Sequence, residues 1–352
     1  MKCCFYVRKL FLFFTCLFMC FCLLPVSAED NESLCVQTVL VVGGGPVGLA
    51  TAIEAREHGY FVTVVEKRVA YTRLQWIFLS DYSLELLGKW KINIPKMIVA
   101  DLKDQERMGF VRINELEECL RARARELGVS IVYGEFQGFC ADRLAMIMTS
   151  QEELQAVAYD VIVGADGPYS AVRKASSIES SCLGVAVGAI AIIPNSMEEA
   201  FEVGVFPSIQ QEGGYLRRIK SPFASIFFMQ CPQTATQEDL QKALEKQGWI
   251  ADAVAIQEGR AFVFADIRIM LQHAQTFSRE IKSVILVGDA AATASFFQGR
   301  GVNTAFKTAE VSGQFFQEMQ ICNKAAFQKF NQSMQIITDE MVEDSAYLFK
   351  IK

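Results

Sequence analysis

The sequence predicts an α/β fold, a Rossmann-like dinucleotide-binding domain interrupted by a β-rich segment, and three observations predict it. Residues 38–66, TVLVVGGGPVGLATAIEAREHGYFVTVVE, read as strand, glycine turn, helix, strand and terminal acid. Residues 177–275 change to short apolar runs with strand-like character and one helical stretch. Residues 284–310, VILVGDAAATASFFQGRGVNTAFKTAE, return to strand, glycine turn and helix. The 352 residues hold one large domain or two ordinary ones, with ample chain to bury a core.

In the first unit, Val39 to Val42 form the strand and Gly43 permits the tight turn. Gly45 lets backbone approach a pyrophosphate, with Pro46 in the same loop, and Gly48 lets helix and sheet pack closely. The free N–H groups and positive dipole end of the helix favour phosphate. Glu66, eighteen residues past Gly48, is placed to accept hydrogen bonds from a ribose diol. Lys67, Arg68 and Arg73 follow it. They either line the adenosine and phosphate region or stand as solvated loop charges.

A helix is expected over Ser80 to Leu87 with a stop at Gly88, and a loop or linker from Met97 to Met108. In FVRINELEECLRARARELGVSIVYG, 110–134, Asn114 is expected to cap a helix. Leu116, Cys119, Leu120, Ala124 and Leu127 form its apolar stripe, Gly128 ends it, and Val129 to Tyr133 enter a strand. Arg112, just before this helix, can reach a phosphate bidentately, whereas Arg121, Arg123 and Arg125 read as a solvated face. Short strands around a polar turn are expected over 136–157. A buried strand, Asp160 to Val163, then ends in Gly164, Ala165, Asp166 and Gly167, with Ser170 and Arg173 beyond. An acid at the carboxyl end of a parallel strand is where an open α/β sheet places ligand contacts, although an ordinary Asp-Gly turn has the same sequence.

Within the β-rich segment, strands are expected at Val185–Ile193, Phe201–Phe206, Gly214–Ile219, Ala224–Gln230 and Arg260–Ile267, with a helix at Gln237–Gln247. The pattern is that of a mostly antiparallel sheet. Val284 to Val287 then make a strand, Gly288 and Asp289 a turn, and Gly299, Gly301 and Asn303 a second glycine-rich turn. That turn opens a helix from Val302 to Gln317, and Asn323 to Tyr347 form a closing helix. The boundaries are therefore 37–176 with 276–320 for the dinucleotide domain, 177–275 for the insert and 321–352 for the terminal helix.

Composition removes several functions. Lys and Arg total 34 against 40 Asp and Glu, so no basic footprint for nucleic acid exists. Only His58 and His273 occur, which argues against a His-rich metal site or a histidine-centred triad, and both read as surface or packing residues. Residues 1–28 have signal-peptide grammar: Lys2, Arg8 and Lys9, an apolar run from Leu10 to Leu24, then Val26, Ser27 and Ala28. The run is short for a membrane span, although an uncleaved anchor fits it too. An exported or membrane-associated protein is expected, or a cytoplasmic one if translation starts downstream at Met19. Five of the eleven cysteines lie in this leader. The other six show no disulfide or zinc spacing and read as reduced, mostly buried small residues.

GGGPVG, GADGPYSAVR and VGDAAATASFFQGRGVN, in that order, resemble the FAD-dependent aromatic hydroxylases. These are the single-component flavoprotein monooxygenases related to para-hydroxybenzoate hydroxylase and kynurenine 3-monooxygenase. The likeness spans about residues 37–320. EKRVAYTR and RINELEECL are also similar to the actin-oxidising flavin monooxygenases. The resemblance implies an FAD/NAD(P)-binding domain with an inserted β-rich substrate domain. It implies that Gly43, Gly45, Gly48 and Glu66 bind the ADP part of FAD, and that Asp166, Gly167 and Arg173 serve FAD and NAD(P)H. Asp289 then lies near the ribityl chain, Gly301, Val302 and Asn303 near the flavin ring, and Arg112 against FAD. The implied reaction uses NAD(P)H and oxygen to hydroxylate an apolar or aromatic small molecule through a flavin hydroperoxide. Two positions depart from the family pattern: Ala292 stands where His is common and Phe296 where Pro is common. A flavin-dependent reductase of an isoprenoid-type substrate and a non-catalytic nucleotide-binding escort share the fold. The halogenase pattern Trp-x-Trp-x-Ile-Pro is absent, with Trp76, Trp90 and Trp249 far apart.

Overall fold

The computed structural model describes residues 37–101, 107–194, 204–205, 209–211, 214–220, 224–231, 233–293, 295, 299 and 301–347. The leader, Cys35, Phe296 and most of the expected strand Phe201–Phe206 lie outside the described residues. The opening unit consists of β1 (Thr38–Val42), α1 (Pro46–Glu57) and β2 (Phe61–Glu66), with β1 and β2 parallel from Thr38–Phe61 to Val42–Val65. Pro46 occupies the first position of α1, where no helical N–H bond is lost. Every residue from Pro46 to Ala55 is buried, which explains why small residues dominate this helix.

There follow β3 (Trp76–Ser80), α2 (Asp81–Lys89), β4 (Ile98–Asp101), β5 (Arg107–Arg112), α3 (Ile113–Glu126), β6 (Ser130–Ala141), β7 (Leu144–Thr149), β8 (Leu154–Ala158), β9 (Val161–Gly164) and α4 (Ala171–Ala175). The insert contains β10 (Ser180–Pro194), β11 (Gly204–Val205), β12 (Ile209–Gln211), β13 (Gly214–Lys220), β14 (Ala224–Cys231), α5 (Gln237–Lys246), α6 (Ile250–Gln257) and β15 (Phe262–Ala274). The chain returns through β16 (Ser278–Arg279) and β17 (Val284–Leu286) to α7 (Gly301–Met319) and α8 (Asn323–Tyr347). The main sheet has the order β16-β17-β9-β1-β2-β6-β7-β8 and is parallel from β17 to β6. The insert forms an antiparallel sheet, β11-β13-β14-β10-β15 with β12 on β13, and β3-β5-β4 make a third sheet between the two.

Several expectations need correction. Residues 97–108 are not a linker but contain β4 and the start of β5. Their alternation, Ile98 with Ala100 and Met108 with Phe110, is too short to stand out beside the charged LKDQE segment. Helix α2 is capped by the Ser80 side chain, which accepts from Ser83 N, and runs past Gly88 to Lys89. Asn114 does not cap α3; Arg112 holds the N-cap position, and the buried Asn114 Oδ1 has no hydrogen-bond partner. Helix α6 was not expected. Arg121 and Arg123 are half-buried rather than solvated, because Arg121 lies over the Tyr71 ring and Arg123 donates to Trp90 O. Cys119 and Cys231 are half-buried and Cys140, Cys182 and Cys322 exposed, all as free thiols, so burial does not explain them. No helix among the described residues is long and apolar enough to cross a membrane.

Three apolar clusters hold the fold. The largest packs the main sheet against α1, α3, α7 and α8. A second joins one face of the insert sheet to α5 and α6, and a third joins its opposite face to β3, β4 and β5. Helices α1, α2 and α7 meet at one buried carboxylate. Glu54 Oε1 accepts from the indole Nε1 of the fully buried Trp90 and from Lys89 Nζ, both at 2.7 Å. Gly313 of α7 makes room for it, since a Cβ there would lie 2.2 Å from Glu54 Oε2. Glu54→Ala, by stranding the Trp90 N–H, is expected to lower unfolding free energy by roughly 2–3 kcal/mol. Glu54→Gln keeps an acceptor and should cost clearly less; equal losses in urea titrations of the two variants would count against this role.

Candidate functional site

The site lies where the loops after β1, β9 and β17 converge. Gly43 has φ +106°, and a Cβ there would sit 2.3 Å from Ala165 O, so the first loop leans directly on the second. A Cβ at Gly48 would lie 1.9 Å from Gly43 O. These two glycines are required by backbone contact within the protein itself. Gly45 differs: its Cβ direction is open, with Arg68 Nη2 as the nearest atom at 4.0 Å. This vacant approach to the first amides of α1 is the cradle that a pyrophosphate needs, and the residues present fit one.

Glu66 closes the cradle on the β2 side. Its buried carboxylate accepts from Gly44 N at 2.7 Å and from Arg68 N and Nε at 2.8 and 3.0 Å. Burial pushes its pKa up, but the Arg68 hydrogen bonds and charge and the Gly44 N–H bring it below the ordinary carboxylate range. Arg68 is therefore not a solvated charge. It also lies 3.4 Å from Glu117 Oε1, the oxygen that pairs with Arg73. Glu117 is wholly buried on α3, between Leu116 and Leu120. A charge in the apolar stripe was the signal for it. Tyr71 sits beneath, donating its hydroxyl to Gly44 O and covered by Arg68 and Arg121. Lys67 is exposed and makes no bond among the described residues, so it stands apart from this cluster. Arg112 is exposed as well, with its guanidinium 5.4 Å from the Trp76 ring centre.

In the second loop Asp166 accepts from Ser170 Oγ and from the backbone N–H of Ala171 and Val172 at 2.6 and 3.3 Å. Its carboxylate thus caps α4. Gly167 has φ +84° and open space on its Cβ side. Arg173 is buried and donates to Ala290 O at 2.7 Å, Pro168 O at 2.8 Å and Gln272 Oε1 at 3.0 Å. Burial lowers its pKa, opposed by the charge of Asp166. One side chain thereby ties the second loop, the third loop and β15 together. Gln272, which also donates to Pro168 O, had no sequence signal, since it lies past the strand expected at Arg260–Ile267, which in the structure runs from Phe262 to Ala274.

In the third loop Gly288, with φ +55°, packs so close to Val47 that a Cβ would lie 2.8 Å from Val47 Cγ1. Asp289 is exposed at the surface, although protein atoms stand close around its carboxyl group. That crowding pushes its pKa up to about 6, with the positive charge of Arg73 acting the other way. Gly301 and Val302 begin α7, and a Cβ at Gly301 would meet nothing within 4 Å. The Asn303 side chain is fully engaged. It accepts from Ser80 N and Ser83 Oγ and donates to Phe78 O and Gly299 O, locking α7 to the β3–α2 junction. Ala292 is buried in a bridge with His273, whose ring packs on Phe277 with Nε2 2.9 Å from Thr338 Oγ1.

Two predictions follow from this geometry. Gly45→Ala should leave the melting temperature of the flavin-free protein unchanged while weakening FAD binding at least about tenfold by flavin-fluorescence titration. Gly48→Ala should lower the melting temperature even without FAD, and the assignment fails if the two variants behave alike. Asp289 retains its proton to about pH 6 when folded, against about 4 in an unfolded chain. The folded state then binds more protons between these values, so stability falls as pH rises through this window. Asp289→Asn removes the loss: the flavin-free variant should melt above wild type at about pH 7.5 and level with it near pH 3.5. A constant difference across that range would refute the assignment.

Comparison with known proteins agrees with this geometry. The FAD binding domain family matches residues 80–311, about two-thirds of the chain, and an NAD(P)-binding Rossmann-like domain matches residues 41–70. The FAD-dependent monooxygenase OpS4 of Beauveria bassiana is 28% identical over 167 residues, covering 39% of this chain and 38% of its own length. A geranylgeranyl diphosphate reductase of Synechocystis sp. is 23% identical over 321 residues, 79% of this chain and 75% of its own length. The chain spans little more than a third of the length of the first two curated relatives it matches. Among solved structures, the probable FAD-dependent monooxygenase pqsL from Pseudomonas aeruginosa superposes with a TM-score of 0.71 at 14% identity, covering 88% of this chain and 94% of that one. 2-Methyl-3-hydroxypyridine-5-carboxylic acid oxygenase superposes with a TM-score of 0.63 at 19% identity, covering 89% and 91%. With its three loops assembled around an open glycine cradle, the chain belongs to the FAD binding domain family and has the fold of the flavoprotein monooxygenases.

Proposed function

We propose that this chain is an FAD-dependent oxidoreductase, a monooxygenase that uses NAD(P)H and oxygen to hydroxylate an apolar or aromatic small molecule. The observation that supports it most is the third apolar cluster, which meets the flavin-side glycine turn. Phe78 of β3 lies against Gly299, where a Cβ would fall 1.7 Å from its ring, and it meets Phe228 of β14 edge to face at 6.3 Å. An aromatic surface shared by the two sheets therefore borders the turn that opens α7.

In this reading Gly45 and the first amides of α1 receive the pyrophosphate, and Glu66 accepts a ribose hydroxyl while Arg68 keeps it ionised. Asp289 faces the ribityl chain, and the N-terminus of α7 at Gly301 and Val302 faces the flavin ring. Bound FAD supplies the electron transfer and oxygen activation that no side chain here provides. Phe78, Phe228 and their neighbours exclude water from the reacting face. Arg173 positions the loop that carries Asp289 by holding Ala290 O.

A reductase acting on an isoprenoid-type substrate is the second reading, favoured by the extent of the Synechocystis sp. match. The FAD-loaded protein, given NADH or NADPH and a panel of phenols and quinone precursors, is expected to couple nicotinamide oxidation to oxygen uptake and hydroxylated product. Substrate reduction under anaerobic conditions would establish the reductase instead. Flavin that neither nicotinamide reduces would overturn both.

A further inference from the structure

The apolar surface beside Gly299 does not end at the third cluster. In the insert sheet Phe228 pairs with Ile190, and Ile190 pairs with Phe264 of β15. In the next row on the same face Ile226 pairs with Ile192, and Ile192 with Phe262. Cross-strand partners share a face. Val263, between the two phenylalanines, points the other way and packs into the cluster under α5 and α6. The alternation therefore commits Phe262 and Phe264 to the face that carries Phe228.

Exposure rises along these rows. Phe228 is 7% exposed, Ile190 and Ile192 are half-buried, Phe264 is 42% exposed and Phe262 is 66% exposed. β15 is the last strand of its sheet. An edge strand facing water ordinarily carries polar residues on its open face. Here two phenylalanines extend an apolar strip from the flavin-side turn to the open edge, about 10 Å across two strand spacings. On the other side of Phe228 the same face carries Tyr215, Arg217 and Ile219 of β13, with Tyr215 and Ile219 buried in the third cluster, so the exposed part of the strip lies toward β15.

Resting on the FAD-dependent reading above, we propose that the substrate carries an extended hydrocarbon tail. Its reactive end lies beside Phe78 and Gly299, and its tail crosses Ile190 and Ile192 to Phe264 and Phe262. Continuity with the aromatic surface at the turn favours this occupant over a second copy of the chain or a lipid surface. Each of those would need an apolar patch centred on the edge and not one leading inward. The substrate class is thus a ring or double bond bearing a long alkyl or isoprenoid chain.

The test compares dodecylphenol with phenol for binding to the FAD-loaded protein by equilibrium dialysis, in wild type and in the Phe262→Ser/Phe264→Ser double variant. Wild type should bind dodecylphenol at least about tenfold more tightly than phenol. The variant should lose that advantage while keeping its FAD and its phenol affinity. Phenol binding with no gain from the chain, or a gain that survives the substitutions, overturns the proposal and leaves the enzyme reading standing. If FAD is held and neither probe binds, the proposal falls, while the enzyme reading is decided by whether NADH or NADPH reduces the flavin. Two further results would overturn the proposal: wild type sedimenting as a dimer that the substitutions dissociate, or phosphatidylcholine vesicles binding wild type and not the variant.

Discussion

Everything in this site depends on how closely the first two loops approach. Gly43 rests against the Ala165 carbonyl, and Gly48 rests against the Gly43 carbonyl. No side chain fits either place. The contact fixes the distance between β1 and the loop after β9, and through Val47 it also sets Gly288 at the end of β17. The first amides of α1 can face an open cradle at Gly45 because the neighbouring glycines have closed everything around it. Arg173 then secures the arrangement from behind. It is a buried cation with no direct carboxylate partner among the described residues, and its three hydrogen bonds to neutral acceptors, at about 1.5–3 kcal/mol each, offset part of its desolvation.

This logic explains which parts of the site were legible in the sequence. Gly43, Gly45, Gly48 and Glu66 were readable because close backbone approach admits one residue type, and that constraint has a fixed spacing between two strands. Asp166, Arg173 and Asn303 were also visible as members of motifs, but their side chains hold loops together through bonds to Ser170, Ala290 and Ser80. A motif marks where a residue must be, and the contact that requires it can be internal. Glu117 was missed although its position was plain, because the apolar stripe of α3 was read only for apolar residues. Gln272 had no signal at all: its partners Pro168 and Arg173 are about a hundred positions away.

Glu66, Glu117, Arg68 and Arg73 form one charge cluster on the β2 side of the cradle. Two buried carboxylates stand beside two partly exposed guanidiniums, so the charges nearly cancel within the protein. In the proposed reading, the attraction for a pyrophosphate would then rest mainly on the helix amides and on whatever share of Arg68 can be released. Arg68 is the nearest side chain to the Gly45 opening while it bonds Glu66 and touches Glu117. A ribose hydroxyl on Glu66 and a phosphate near Arg68 would therefore draw on the same ion pair. Coupling between the two subsites is the natural result, since filling one alters the partner available to the other.

The insert sheet shows most clearly what alternation alone leaves open. Its central strand β10 carries no polar side chain from Val185 to Ile193, so both faces look equally fit for burial in the sequence. The structure divides them. Val187, Ala189, Ala191 and Val263 meet the small and branched residues of α5 and α6. Ile190, Ile192 and Phe228 meet β3, β4 and β5, and the rows continue past them to exposed Phe264 and Phe262. One face is finished by its own helices, and the other runs from a glycine turn to open water. A fold whose insert served only as a scaffold could have ended that second face with polar residues at no cost to the first. Two phenylalanines at the edge are therefore better explained by a molecule that lies across them than by the packing of the protein itself.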